Sequence, residues 1–210
     1  MTAAADEAPD GSHRADEGPL PIAVLASGEG TNLQALLDTV HGQEARIVAV
    51  ASDRPHAPAL RRARDAGVPT ATFAPDDFTD RATRDEAMAG WLAEHGARAV
   101  VLAGYMALLS PRFLACFPAG VVNVHPSLLP AFPGLRAVEQ AVHHGVKVFG
   151  VTVHFVDEGV DTGPIIAQRA VELRDPSDPA AVLAALRPLE HALLPQAVRL
   201  LASGALRPPE

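Results

Sequence analysis

With a single cysteine, Cys116, the chain cannot form an internal disulfide. Its first 20 residues lack the basic start and apolar stretch of a secretion signal. No apolar run approaches the roughly 18 uninterrupted residues that a membrane-spanning helix needs, because Gly, Pro and charges punctuate every candidate stretch. The expectation is a cytoplasmic protein that does not span a membrane. Basic residues are scarce too: 17 stand against 25 acidic ones, for a formal charge of −8. Residues 1 to 20 hold five of those acids and one arginine, so half of the net charge sits there. The remainder contains no basic run, which argues against nucleic-acid binding by broad phosphate neutralisation. The histidines lack metal-ligand spacing, and no zinc or other metal is expected. What the chain does have is 48% apolar residues in 210, enough to bury a substantial core.

Residues 1 to 20 (MTAAADEAPDGSHRADEGPL) are small, acidic and rich in Pro and Gly, and are expected to form a disordered extension. Residues 21 to 210 are expected to form one domain. IAVLA (22 to 26) reads as a buried strand, SGEGTN as a glycine loop, and Leu33, Leu36, Leu37 and Val40 as the apolar face of a helix. Thr31 followed by Gln34 predicts a capping box at that helix start. The alternation continues with strands at 46 to 52, 68 to 73, 99 to 103 and 120 to 125. Between them lie a basic helix ending near Gly67 and a longer helix from about Thr79 to His95. Repeated βα units of this kind predict an α/β fold, a mostly parallel sheet with helices on both faces and ligands at the strand C-terminal ends.

Beyond residue 125 the pattern changes. PSLLPAFPG is proline-rich, a helix is expected around 136 to 144, and 150 to 156 and 164 to 173 are strand-like. These two runs extend the sheet or form an antiparallel ribbon beside it. DPSDP (175 to 179) signals a final helix that Pro188 and Pro195 must bend or interrupt.

Several of these features have chemical potential. Gly28 to Asn32 sits where backbone N–H groups converge on an anion at a helix N-terminus, although a tight structural turn has the same composition. It is neither a dinucleotide fingerprint nor a Walker loop, since Leu33 fills the sixth position and no Gly-Lys-Ser/Thr follows. Asp53 ends the second strand where a ribose-binding acid stands in nucleotide dehydrogenases, a use the missing third glycine argues against. Asn123 and His125, two residues apart at a strand end, project on one face toward the ligand edge. His154 is expected opposite Val153 and Phe155, lining that cleft or serving structure. Asp161 lies in VDEGVDTGP, which also reads as a solvated turn.

Four strings settle how these features are combined: VLASGEGTNLQALLD, VLAGYMALLS, NVHPSLLPAFPG and VHFVDEGVDTGPIIAQ, with EHALLPQAV behind them. In order and spacing they resemble the phosphoribosylglycinamide formyltransferase family over about residues 22 to 206. The resemblance implies a Rossmann-like formyltransferase fold and transfer of a formyl group from 10-formyltetrahydrofolate to glycinamide ribonucleotide in purine biosynthesis. It implies Asn123, His125 and Asp161 as catalytic residues. Gly30, Thr31, Asn32 and Glu190 would bind the ribonucleotide. Arg81, Met106, Ala107, Leu108 and Leu109, with Asn123 and the loop containing Val156, Asp157 and Asp161, would bind the reduced folate. Two positions depart from the pattern: Ala107 stands where relatives often have Arg, and Arg136-Ala137 where they often have His-Thr.

Relatives with the same chemistry fit less well. Formyltetrahydrofolate deformylase usually carries an N-terminal regulatory domain and a second histidine where this chain has Pro126. Methionyl-tRNA formyltransferase usually carries an additional C-terminal domain. A catalytically silent anion-binding module would need the glycine loop but not the Asn, His and Asp together.

Overall fold

The computed structural model describes residues 18–174 and 176–208. Of the segment expected to be an extension, residues 1–17 lie outside this range, and β1 (Leu20–Leu25) already begins at its last residue. The other strands are β2 (Ala45–Ser52), β3 (Thr70–Thr72), β4 (Ala99–Leu102), β5 (Val121–His125), β6 (Val148–Phe155) and β7 (Ile165–Glu172). They form one sheet in the order β3-β2-β1-β4-β5-β6-β7.

The first five strands are parallel, whereas β6 runs antiparallel to β5 and β7 antiparallel to β6. The last two strands therefore extend the sheet and are an antiparallel ribbon at once. Helices cover both faces: α1 (Thr31–Thr39), α2 (Pro58–Asp65), α3 (Arg81–Glu94), α4 (Pro111–Ala115), α5 (Ala137–His143) and α6 (Pro179–Ala202). This is the Rossmann-like α/β arrangement that the repeated βα units predict. A strand buried on both sides reads as an unbroken apolar run, and β1 shows the consequence. Ile22 and Val24 pack into the same core as Leu33 and Leu36 of α1 and Leu194 of α6. Ala23 and Leu25 pack oppositely with Met88 and Leu92 of α3 and Phe113 of α4.

Helix ends account for most differences from the sequence reading. α1 starts at Thr31 as expected, but Gly30 is its N-cap, at φ 72, and no side chain caps it. The predicted capping box does not form, because Thr31 lies one residue inside the helix. Gln34 instead donates to Asp38 and accepts from Arg62. α3 starts at Arg81 because the Asp80 carboxylate accepts the Thr83 N–H at 2.8 Å. α6 is entered through Asp178 and Pro179 and stays helical past both Pro188 and Pro195. Its buried face, from Val182 and Leu186 to Val198 and Leu201, supplies packing that offsets the two lost backbone hydrogen bonds. No helix among the described residues is long and apolar enough to cross a membrane.

The order places β1 between β2 and β4, so the chain leaves β1 in one direction and later resumes on its other side. A crevice forms at such a reversal, outside the carboxyl ends of the strands. Ser27 stitches its two walls: its N–H donates to Gly104 O at 3.1 Å and its hydroxyl accepts from Met106 N at 3.0 Å.

Candidate active site

Asp161 is the hub of the site. It sits in the β6–β7 loop at φ 55, a left-handed conformation that Asp tolerates better than most residues. Only 12% of its side chain is exposed, although Asp157 to Val160 and Thr162 around it are exposed, so a solvated turn directs this one carboxylate inward. Oδ2 lies 3.2 Å from His125 Nδ1 and accepts the Gly134 N–H at 2.7 Å. Oδ1 accepts from Asn123 Nδ2 at 3.3 Å and lies 3.4 Å from His154 Nε2. Burial by itself would raise this carboxyl. The hydrogen bonds from His154 and Gly134, with the charges of His125 and His154, outweigh burial and hold it below its ordinary value.

The sheet register explains this convergence. Asn123 pairs with His154 across β5 and β6, and His125 pairs with Thr152. Cross-strand partners share a face, so all four side chains point the same way. His154 Nδ1 lies 2.7 Å from the Phe155 carbonyl, which can only accept, and this places a proton on Nδ1. Nε2 lies 3.1 Å from Asn123 Nδ2 and 3.4 Å from Asp161 Oδ1, and it is the nitrogen that donates to Asp161 when the ring is charged. Asn123 Nδ2 also donates to Asp161. His125 Nε2 meets the Phe132 carbonyl at 2.9 Å, so both of its ring nitrogens face acceptors.

A second group of sequence-named residues meets at α1. Gly30 has a packing reason beyond its positive φ: a Cβ there would stand 2.7 Å from both Cα and Cβ of Ala59 in α2. α2 holds the loop further through Ala59 N to Gly28 O and Arg62 Nε to Glu29 O. Because no side chain caps α1, its first N–H groups remain available to an anion. Asn32 is buried and donates from Nδ2 to Glu190 Oε2 at 3.0 Å. Its Oδ1 is buried without a protein partner. Burial raises the Glu190 carboxyl, against the opposing effects of Asn32 and Arg187.

The expected folate-side residues divide. Met106 and Leu108 are exposed, whereas Ala107 and Leu109 turn inward onto the core. Arg81 is exposed at the start of α3, one turn before Arg84. Val156 packs on the core, and the Asp157 carboxylate is occupied by Gly159 N and Thr162 Oγ1 within its own loop. Asp53 keeps a buried oxygen without a hydrogen-bond partner.

The formyl transferase sequence profile matches residues 20–198. The phosphoribosylglycinamide formyltransferase of Bacillus subtilis (strain 168) is 39% identical over 85% of this chain and 92% of its own length. The chain belongs to the phosphoribosylglycinamide formyltransferase family.

As a member of that family it is a formyl-transferring enzyme of purine biosynthesis, and its formyl donor is folate-derived. The family's domain also occurs within longer proteins. Against the trifunctional purine biosynthetic protein adenosine-3 of Drosophila pseudoobscura pseudoobscura, identity is 42% over 89% of this chain and 14% of the relative. The crystal structure of glycinamide ribonucleotide transformylase 1 from Symbiobacterium toebii superposes with a TM-score of 0.84. Identity there is 45%, over 89% of each chain.

Sequence reasoning missed one pair at this formyltransferase site. Arg84 and Asp85 are adjacent on α3 and almost wholly buried, joined at 2.7 Å. Arg84 also donates to Leu108 O at 3.1 Å, and Asp85 accepts Ser110 N at 2.6 Å. Together they fasten the segment that carries Met106 and Leu108. Nothing in the sequence signals this, since neighbouring charges on a helix ordinarily read as a solvated face.

Proposed function

We propose that the chain transfers the formyl group of 10-formyltetrahydrofolate to the amine of glycinamide ribonucleotide. The observation that carries this reading is the convergence of Asn123 and His125 on Asp161, in a chain whose relatives are named for that reaction. The amine nitrogen bonds to the formyl carbon, whose oxygen becomes an oxyanion. Collapse of this adduct breaks the bond to N10 of the folate, and the proton lost by the amine reaches N10 through a water.

Asn123 Nδ2 and an N–H of His125 are the donors that meet the oxyanion, and the Asp161 carboxylate stabilises the protonated imidazole. Both donors are already engaged, Nδ2 with Asp161 and His154 and Nε2 with Phe132. Each donor therefore exchanges one such bond for the formyl oxygen, the Phe132 carbonyl holding the His125 ring in place until that oxygen arrives.

Gly30, Thr31 and Asn32 hold the ribonucleotide phosphate at the uncapped start of α1, and Glu190 contacts the glycinamide end. Arg81, the segment from Met106 to Leu109, and Val156 to Asp161 contact the folate. Residues 21–210 act as one domain, in the cytoplasm, on two small-molecule substrates and without a metal.

Calorimetric titration with each substrate tests the division of the site. Asn32→Ala combined with Glu190→Ala should weaken ribonucleotide binding about tenfold or more and leave folate binding intact. Equal loss of both would overturn the two-anchor reading.

A further inference from the structure

Asn123, His125 and Asp161 cannot act unless their ring and amide planes are held. The loop from Pro126 to Gly134 does part of that holding. Its Phe132 carbonyl engages His125 Nε2 at 2.9 Å, and its Gly134 N–H engages Asp161 Oδ2 at 2.7 Å. Phe132 itself is at φ 53, which a bulky side chain adopts only when its surroundings impose it.

What imposes it lies directly beneath. His125 on β5, Thr152 on β6 and Gln168 on β7 occupy one cross-strand row. Thr152 is fully buried, and its hydroxyl uses its whole capacity of one donor and two acceptor sites. Oγ1 donates to Ser127 O at 2.7 Å and accepts from Leu129 N at 3.1 Å and Gln168 Nε2 at 2.9 Å. The second amide proton of Gln168 reaches Leu129 O at 2.9 Å. Above these ties, the Ser127 hydroxyl donates to Ala131 O at 2.6 Å, next to Phe132. Hydrogen bonds joined through the backbone at Ser127 and at Ala131–Phe132 thus connect the edge strand to the ring of His125.

We propose that Thr152 and Gln168 are positioning residues for formyl transfer, holding the backbone at Ser127 and Leu129 so that the Phe132 carbonyl orients His125. The proposal rests on the catalytic role given to His125 above. Neither side chain touches the reacting atoms. Both act through the loop, and a small displacement of His125 is enough to slow a reaction that depends on alignment. The ribonucleotide anchors at Asn32 and Glu190 share no hydrogen bond with this network.

Thr152→Val removes the hydroxyl at constant volume, Thr152→Ser keeps it, and Gln168→Leu acts on an exposed edge-strand residue whose loss the fold tolerates. Thr152→Val and Gln168→Leu should each lower kcat about tenfold to a hundredfold. KM for the ribonucleotide should stay within about twofold, and the double variant should lose little more than the worse single one. Thr152→Ser should recover most of the rate. In 15N-labelled protein the Nε2 resonance of His125 should shift in both damaging variants and return in Thr152→Ser. A Gln168→Leu protein with native Tm, unchanged kcat and an unmoved His125 resonance would overturn the proposal. So would a Thr152→Ser variant no better than Thr152→Val. If the unsubstituted chain formylates no ribonucleotide, the catalytic reading fails by itself. The His125 resonance still decides whether Thr152 and Gln168 hold that ring.

Discussion

Asn32 donates to Glu190 across 158 positions of sequence, joining the first turn of α1 to the middle of α6. The two helices pack together, and the bond lies where an uncapped helix start meets a carboxylate. Each member restrains the other, so each should matter less once the other is gone. Asn32→Ala and Glu190→Gln should each raise KM for glycinamide ribonucleotide about tenfold, with kcat changed much less. The double variant should show less than the product of the two effects. Initial-rate kinetics on the four proteins measure this, and a full product of effects would separate the residues.

His125 and Asp161 should behave as one catalytic unit. Each of His125→Ala and Asp161→Asn should lower kcat about 10²- to 10⁴-fold while ribonucleotide binding persists. Removing Asp161 from a His125→Ala background should change the rate little, because the charge it supports is already absent. Multiplicative losses in single-turnover measurements would contradict the coupling.

Gly30 is a test of the fold as well as of the site. A side chain there meets Ala59 at 2.7 Å in a left-handed conformation, so Gly30→Val should destabilise the protein by about 1 to 3 kcal/mol. Thermal unfolding reads this directly. An unchanged Tm with weakened ribonucleotide binding would assign the glycine to the phosphate alone.

Most of the sheet was legible because strands buried on both faces leave unbroken apolar runs, as in β1, β2 and β4, while β5 interrupts its run only at Asn123 and His125. The direction of β6 and β7 was not, since alternation carries no sign of parallel or antiparallel pairing. α4 has five residues, too few to show a period. The capping box failed because Gly30 takes the N-cap position that Thr31 would need. At the site, Asn123 and His125 were legible from their spacing, whereas Asp161 and Glu190 came only with the family resemblance. No local pattern links Asp161 to a strand 38 residues earlier. The buried Arg84–Asp85 pair had no signal at all.

Asp161 also predicts how stability responds to acid. Its carboxyl is held below the ordinary value, so its contribution is fully present above about pH 4. That contribution disappears as pH falls through the folded-state value. The Tm difference between the natural protein and Asp161→Asn should therefore narrow on acidification below about pH 4. A constant or widening difference in calorimetric scans would contradict the hydrogen-bonded, ionised Asp161 described above.

The acceptor of the formyl group tests the central claim most directly. Water is always present, so a transferase must hold the amine within roughly 3 to 3.5 Å of the formyl carbon to prevail over it. The measurement is formate release and formylated ribonucleotide from 10-formyltetrahydrofolate, with and without glycinamide ribonucleotide. The account predicts little formate from the folate alone and rapid stoichiometric formylation once the ribonucleotide is added. Rapid formate release independent of the ribonucleotide would contradict it, as would no loss of formyl group under either condition.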